Sequence, residues 1–292
     1  MYHEHTKICI RKNELWRGVD QFVLSNGNGL AAKVITFGAT LTSLISPDRH
    51  GRPEEIILGY DNLEGYLLPH PYFGSTVGRF ANRIARGKFS IDGKVYQVAC
   101  NDNGNHLHGG NVGFNQRLWK AEAFSRKDAS GVVFSYRSPS GEENYPGNLD
   151  VTVTYTLTEN NELIIEYSAV TDAPTPVNLT NHTYWNLEGA GSGKIYDHVL
   201  SIDADAYLEV DEELVPSGRK IPVAGTPFDF RKPKPIGKDI EAAGGYDHCF
   251  VLNRKGELPQ IRVTAPHSGR VLTIYATQPG VQFYTGNFLA DT

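Results

Sequence analysis

Four short segments of this 292-residue chain set chemically able polar side chains among apolar neighbours. The densest is Asn178-Leu179-Thr180-Asn181-His182-Thr183-Tyr184-Trp185-Asn186-Leu187. An imidazole gives or takes a proton near neutrality, because its unperturbed pKa is ~6.5. Side-chain amides offer paired donors and acceptors to hydroxyl groups, and an aromatic face stacks on the apolar face of a pyranose. The plainer reading is a polar turn around a histidine satisfied within a core. The second segment is Asn105-His106-Leu107-His108-Gly109-Gly110. On a strand His106 and His108 share one face, which suits a metal site or one imidazole in a pocket beside a structural one. The two glycines let backbone or ligand come close.

The third segment, Gly78-Arg79-Phe80-Ala81-Asn82-Arg83-Ile84, reads as a surface loop with solvated arginines or as a fork of donors aimed at hydroxyls or a carboxylate. In the fourth, Gly245-Tyr246-Asp247-His248-Cys249-Phe250, the Asp–His pair fits an N-terminal turn, a ligand to sugar hydroxyls, or half of a metal site. The chain carries no phosphate-cradling loop, dinucleotide fingerprint, nucleophile elbow or Cys-x-x-Cys pair.

The elements that position these segments read as strands and turns. Residues 20–25 and 30–37 flank Asn26-Gly27-Asn28-Gly29, and residues 89–98 form a hairpin around Asp92-Gly93. The β-branched and aromatic runs 132–137, 151–157 and 163–169 read as strands, as do 198–203, 248–252, 260–265 and 270–277. Turns are expected at Pro266-His267-Ser268-Gly269 and Lys255-Gly256-Glu257. Helix signals are confined to 61–66 and 237–243. No repeat or linker divides the sequence, so it reads as a single domain over 1–292, an all-β fold built as a large antiparallel β-sandwich with few short helices.

Composition narrows the function classes. A net charge of −5, with no basic run longer than Arg231-Lys232-Pro233-Lys234-Pro235, gives no nucleic-acid footprint. The three cysteines, Cys9, Cys100 and Cys249, are too scattered for a disulfide framework and fit a reducing compartment. No apolar leader opens the chain, and no stretch reaches the ~20 apolar residues of a membrane span. A cytoplasmic protein, monomeric or weakly dimeric, with no membrane or nucleic-acid partner, is expected.

Taken in order, the segments 78–84, 105–110, 175–187, 246–248 and 278–288 resemble the aldose 1-epimerase (galactose mutarotase) family, with weaker agreement at 63–66, 141–147 and 227–233. The resemblance covers essentially the whole chain. It implies a galactose-mutarotase-type β-sandwich that interconverts α and β anomers of free aldohexoses such as galactose and glucose, without metal or organic cofactor. Carried over by position, it makes His182 the general acid and His108 a catalytic ligand that helps place the ring oxygen. Asn82, Arg83, Tyr184, Asp247 and Gln282 become substrate-binding residues. The family's base glutamate belongs to a C-terminal segment beyond 278–288, and no glutamate follows Glu257 here. The expectation is therefore a C-terminally short member with impaired activity. Three other readings stand beside it: a non-catalytic sugar-binding protein of the same fold, a phosphosugar epimerase using Arg79 as an extra cation, and a metal enzyme using His106, His108 and His182.

Overall fold

A computed structural model describes residues 9–16, 18–253 and 258–289. The expected turn Lys255-Gly256-Glu257 lies outside the described residues, as do residues 1–8 and 290–292. The described chain is all-β, with two short α-helices, Leu63–Leu67 and Ile240–Ala243, close to the two expected sites. It divides into two compact units, residues 1–46 with 57–184, and residues 47–56 with 185–292.

The first unit is built from two antiparallel meanders. One runs through Cys9–Trp16, Val19–Ser25, Ala31–Ile35 and Thr40–Pro47, the other through Lys120–Ser125, Ala129–Ser138, Leu149–Thr158 and Leu163–Thr171. In Leu149–Thr158, Leu149, Val151, Val153, Tyr155 and Leu157 are all buried. Their period of two turns one face of the strand to the core while threonines occupy the other. Phe134 joins the meanders, meeting Phe22 edge-on at 6.2 Å and Tyr155 at 5.9 Å. Burying an aromatic or aliphatic side chain of this size contributes ~1.5–3 kcal/mol. The Asp-Gly hairpin is also present: Asp92 and Gly93 have φ of 49° and 79° and Ile91 pairs with Lys94, as a two-residue turn of this twist requires.

The second unit repeats the principle with shorter strands. One sheet orders Lys234–Pro235, Val199–Ile202, Ile261–Thr264 and Val271–Ile274; the other orders Pro216–Pro222, Ala204–Val210, Asp247–Leu252 and Gly280–Tyr284. Leu200, Ile202, Phe230, Tyr246, Phe250 and Ile261 form its buried core. The expected turn after Ile261–Thr264 closes through hydrogen bonds from Gly269 N to Ala265 O and from Ala265 N to Arg270 O, both 2.9 Å.

Candidate active site

Segments 78–84 and 105–110, and residues 178–184 of the densest segment, fall in the first unit, and the backbone interlocks them. Thr76–Val77 pairs with Thr180–Asn181, and Arg83–Ile84 pairs with His106–Leu107. These two-residue ladders are too short to run on as sheet, so the chain leaves each through a turn, and the candidate side chains sit on those turns. Asn82 and His108 have φ of 66° and 52°, in the left-handed region that residues other than glycine rarely adopt. Gly109 follows at φ 90°, and a β-carbon there would lie 1.8 Å from Gly78 O. Only glycine fits, and this close approach locks segment 105–110 against segment 78–84.

His108 and His182 come together, with ring centroids 5.2 Å apart and planes at 87°. Asn82 N donates to His108 Nδ1 at 3.0 Å, so the neutral ring carries its proton on Nε2 and presents a donor. His182 is held by its peptide: its N–H donates to Ser75 O and its carbonyl accepts from Gly74 N, each at 3.0 Å. Tyr184 packs on the His182 ring at 5.1 Å. Burial pushes the His182 pKa down to about 4, with the neighbouring His70 adding to the shift. His108 is held well below the ordinary imidazole value by burial first, then by His182 and Arg83. Both rings are therefore neutral at pH 7.

Arg83 is largely buried, and its Nε donates to Asp102 Oδ2 at 2.8 Å. Asn82 Oδ1 accepts from Arg83 N at 2.8 Å, so this asparagine shapes the turn that carries the arginine. Asn82, Arg83, His108, His182 and Tyr184 all belong to the first unit. Asp247 and Gln282 belong to the second, on the paired strands Asp247–Leu252 and Gly280–Tyr284. There Gln282 Nε2 donates to Asp247 Oδ1 at 2.7 Å.

Several readings of the segments are corrected. His106 and His108 do not share a strand face, because the strand ends at Leu107 and His108 turns left-handed. His106 is fully buried, with Nδ1 at 2.7 Å from Ala99 O and Nε2 at 2.5 Å from the Tyr145 hydroxyl. Both nitrogens are committed, so the His106–His108–His182 metal reading fails. Arg79 is neither solvated nor aimed at a ligand. It is buried, and its guanidinium donates to the carbonyls of Ser138, Pro139, Pro146 and Gly147 and to the hydroxyls of Ser138 and Thr175. That removes it as the extra cation of a phosphosugar site. The amides of segment 178–187 are largely structural. Asn178, Asn181 and Asn186 donate to the carbonyls of Ala81, Gly74 and Gly193. His248 makes no side-chain pair with Asp247: its Nδ1 accepts from Asp247 N at 3.2 Å, and its ring lies 4.5 Å from that of Phe228.

Sequence reasoning missed Asp102, His70 and Tyr72. Asp102 lies in the turn just before segment 105–110, and its signal was only the run Asn101-Asp102-Asn103-Gly104. Tyr72 is centred 4.7 Å from His108 and 5.6 Å from His182. Its neighbours Pro71 and Phe73 gave it the look of an ordinary apolar turn.

Comparison with known proteins shows the family of the chain. The sequence model of the aldose 1-epimerase family matches residues 20–292. A galactose mutarotase from Sus scrofa is 50% identical over 277 residues, covering 94% of this chain and 79% of the relative. An aldose 1-epimerase from Haemophilus influenzae is 39% identical over 275 residues, covering 92% of this chain and 79% of its own. The crystal structure of a galactose 1-epimerase from Lactobacillus acidophilus superposes with a TM-score of 0.85 at 32% identity, covering 97% of this chain and 84% of that one.

Proposed function

The chain belongs to the aldose 1-epimerase family, and from that premise we propose that it interconverts the α and β anomers of free aldohexoses such as galactose and glucose. The observation that carries this reading is the His108–His182 contact, in which the Asn82 N–H fixes His108 as an Nε2 donor. Ring opening adds a proton to the sugar ring oxygen and removes one from the C1 hydroxyl. Rotation about C1–C2 and closure on the other face give the second anomer. His182 is assigned the proton donation, and His108 the hydrogen bond that holds the ring oxygen. Arg83 has its Nε bound by Asp102 and turns its remaining N–H groups to sugar hydroxyls, with Asn82 setting its turn. Tyr184 backs His182, and Asp247, with Gln282 donating to it, is assigned to hydroxyl binding.

The pKa of His182 sets the terms of its role. With a value of about 4, only ~0.1% of the rings are charged at pH 7. A carboxylate within ~4–6 Å would raise that fraction, as well as taking the C1 proton. The proposal is therefore that His182 acts as the acid in concert with a carboxylate that takes the C1 proton. A general acid–base group in this role contributes roughly 10²–10⁴-fold to the rate. Polarimetry starting from α-galactose and α-glucose tests it. An unchanged rate when His182 is replaced would give the acid role to another residue. Galactose binding without anomerisation would leave a sugar-binding protein. The proposal includes a monomer or weak dimer in the cytoplasm, a setting in which Cys100 and Cys249 stay as the free thiols they are.

A further inference from the structure

Around the two histidines the aromatic rings close a circuit. Tyr72 stacks on His182 at 5.6 Å and His182 meets Tyr184 at 5.1 Å. Tyr184 meets Phe73 edge-on at 5.2 Å, Phe73 stacks on His70 at 6.4 Å, and His70 returns to Tyr72 at 6.5 Å. Tyr72 also touches His108, edge-on at 4.7 Å, as His182 does at 5.2 Å. The three rings of Tyr72, His108 and His182 are thus in mutual contact, and none can swing without displacing another.

The backbone fixes the same relation. Tyr72 has φ 63°, in the left-handed region, and its carbonyl accepts from Ser75 N at 3.0 Å. The turn so formed is bonded on both sides to the peptide of His182, through Gly74 N and Ser75 O. It has no slack, since a β-carbon on Gly74 would lie 1.8 Å from Leu41 O. A bulky residue held left-handed at a site is a conformation the surrounding structure must over-determine, and such residues cluster where geometry matters for function.

We propose that Tyr72 is the positioning residue of the His108–His182 pair, its ring setting the angle between the two imidazoles and keeping water from them. This rests on the acid/base reading of the pair given above. The groups facing His182 are His70, Tyr72, His108 and Tyr184; those facing His108 are Tyr72, His182, His106 and Arg83. Tyr72 supplies no charge to either ring at neutral pH, because burial and the Asp102 carboxylate hold its phenol above the usual value. Its contribution is shape and dryness.

Two substitutions in the full chain separate ring from hydroxyl. Tyr72→Gly removes the ring where φ favours glycine, so the fold is not strained by the change. Tyr72→Phe keeps the ring. Proton NMR titration of the free protein reads each histidine directly, without any need for turnover. In Tyr72→Gly the His182 midpoint should rise from about 4 by at least about one pH unit, as water reaches the ring. In Tyr72→Phe it should stay where it is. Polarimetry should show kcat down about ten-fold in Tyr72→Gly with galactose affinity changed less than about three-fold, as for a misaligned catalytic group. An unmoved His182 midpoint in Tyr72→Gly overturns the proposal, and so does an equal shift in Tyr72→Phe, which would place the effect in the hydroxyl. A chain that anomerises nothing defeats the epimerase reading, while the titration still decides the role of Tyr72.

Discussion

The candidate residues of the two units are held in opposite ways. In the first unit they sit on or beside two-residue ladders, Asn82 and His108 on left-handed turns, with neutral imidazoles packed ring against ring. In the second, Asp247 and Gln282 lie on a regular antiparallel ladder, where Cys249 pairs with Gln282 and the Asp247–Gln282 hydrogen bond crosses diagonally on one face. The other face of that strand puts Phe250 in the core, with the partly buried His248 against Tyr207 and Phe228. Alternation along a strand is enough to present a carboxylate to a hydroxyl. Holding two imidazoles at a fixed angle needs irregular backbone, pinned by glycines that admit no side chain and by a buried arginine that ties several carbonyls together.

The sharpest way to break this comparison is to remove the imidazole that the first unit is built to hold. His182→Asn should lower kcat roughly 10²–10⁴-fold with little change in galactose affinity. Polarimetry for the rate and calorimetry for the affinity check it. A comparable loss of affinity would make His182 a binding residue, and the division between the two units would fall.

The regular parts of this design were legible in the sequence and the irregular parts were not. Alternation in Leu149–Thr158 and the Asp-Gly pair at 92–93 announce strands and a hairpin, because side-chain period and turn conformation are local properties. His108, His182, Asn82 and Arg83 were legible as residue types in unusual company. Their partition into site and scaffold was not. His106 and His108 are separated by the strand end between them and by what lies across the fold, Tyr145 for one and His182 for the other. Arg79 and Arg83 occupy one seven-residue segment, yet the first is closed off by carbonyls and the second pairs with Asp102. Tyr72 carried no polar signal, and its importance comes entirely from long-range packing.

Acid should separate the units next. In the first, His70, His106, His108 and His182 all have pKa values lowered chiefly by burial; in the second, His198 and His248 do. A histidine whose folded pKa lies below its unfolded value stabilises the fold fully above pH ~6.5. That stability is lost as pH falls from there through the folded value, because the unfolded chain binds the proton first. Each such histidine removes at most about 1.4 kcal/mol per pH unit in this window. Carboxylates with lowered pKa values, such as Asp172 in the first unit and Glu188 in the second, act only at lower pH. Between pH 6.5 and 5, hydrogen exchange should therefore show protection falling more in the first unit than in the second. Equal loss would mean that the dry histidine cluster is not what distinguishes them.

The smallest effect is expected at the exposed pair, and it tests whether a ladder alone is enough to hold a ligand. Asp247→Asn removes the charge but keeps an oxygen able to accept from Gln282, so galactose affinity should fall about ten-fold, near 1.4 kcal/mol, with kcat little changed. Gln282→Leu removes the donor that orients Asp247 and should weaken binding less, about three-fold. If the hydrogen bond between them is what aims the carboxylate, the double substitution should cost less than the sum, by ~0.5–1 kcal/mol. Calorimetry with galactose on the four proteins closes the cycle. Additive losses would show that each residue meets the sugar independently, and that the 2.7 Å bond between them only joins two neighbours on a strand face.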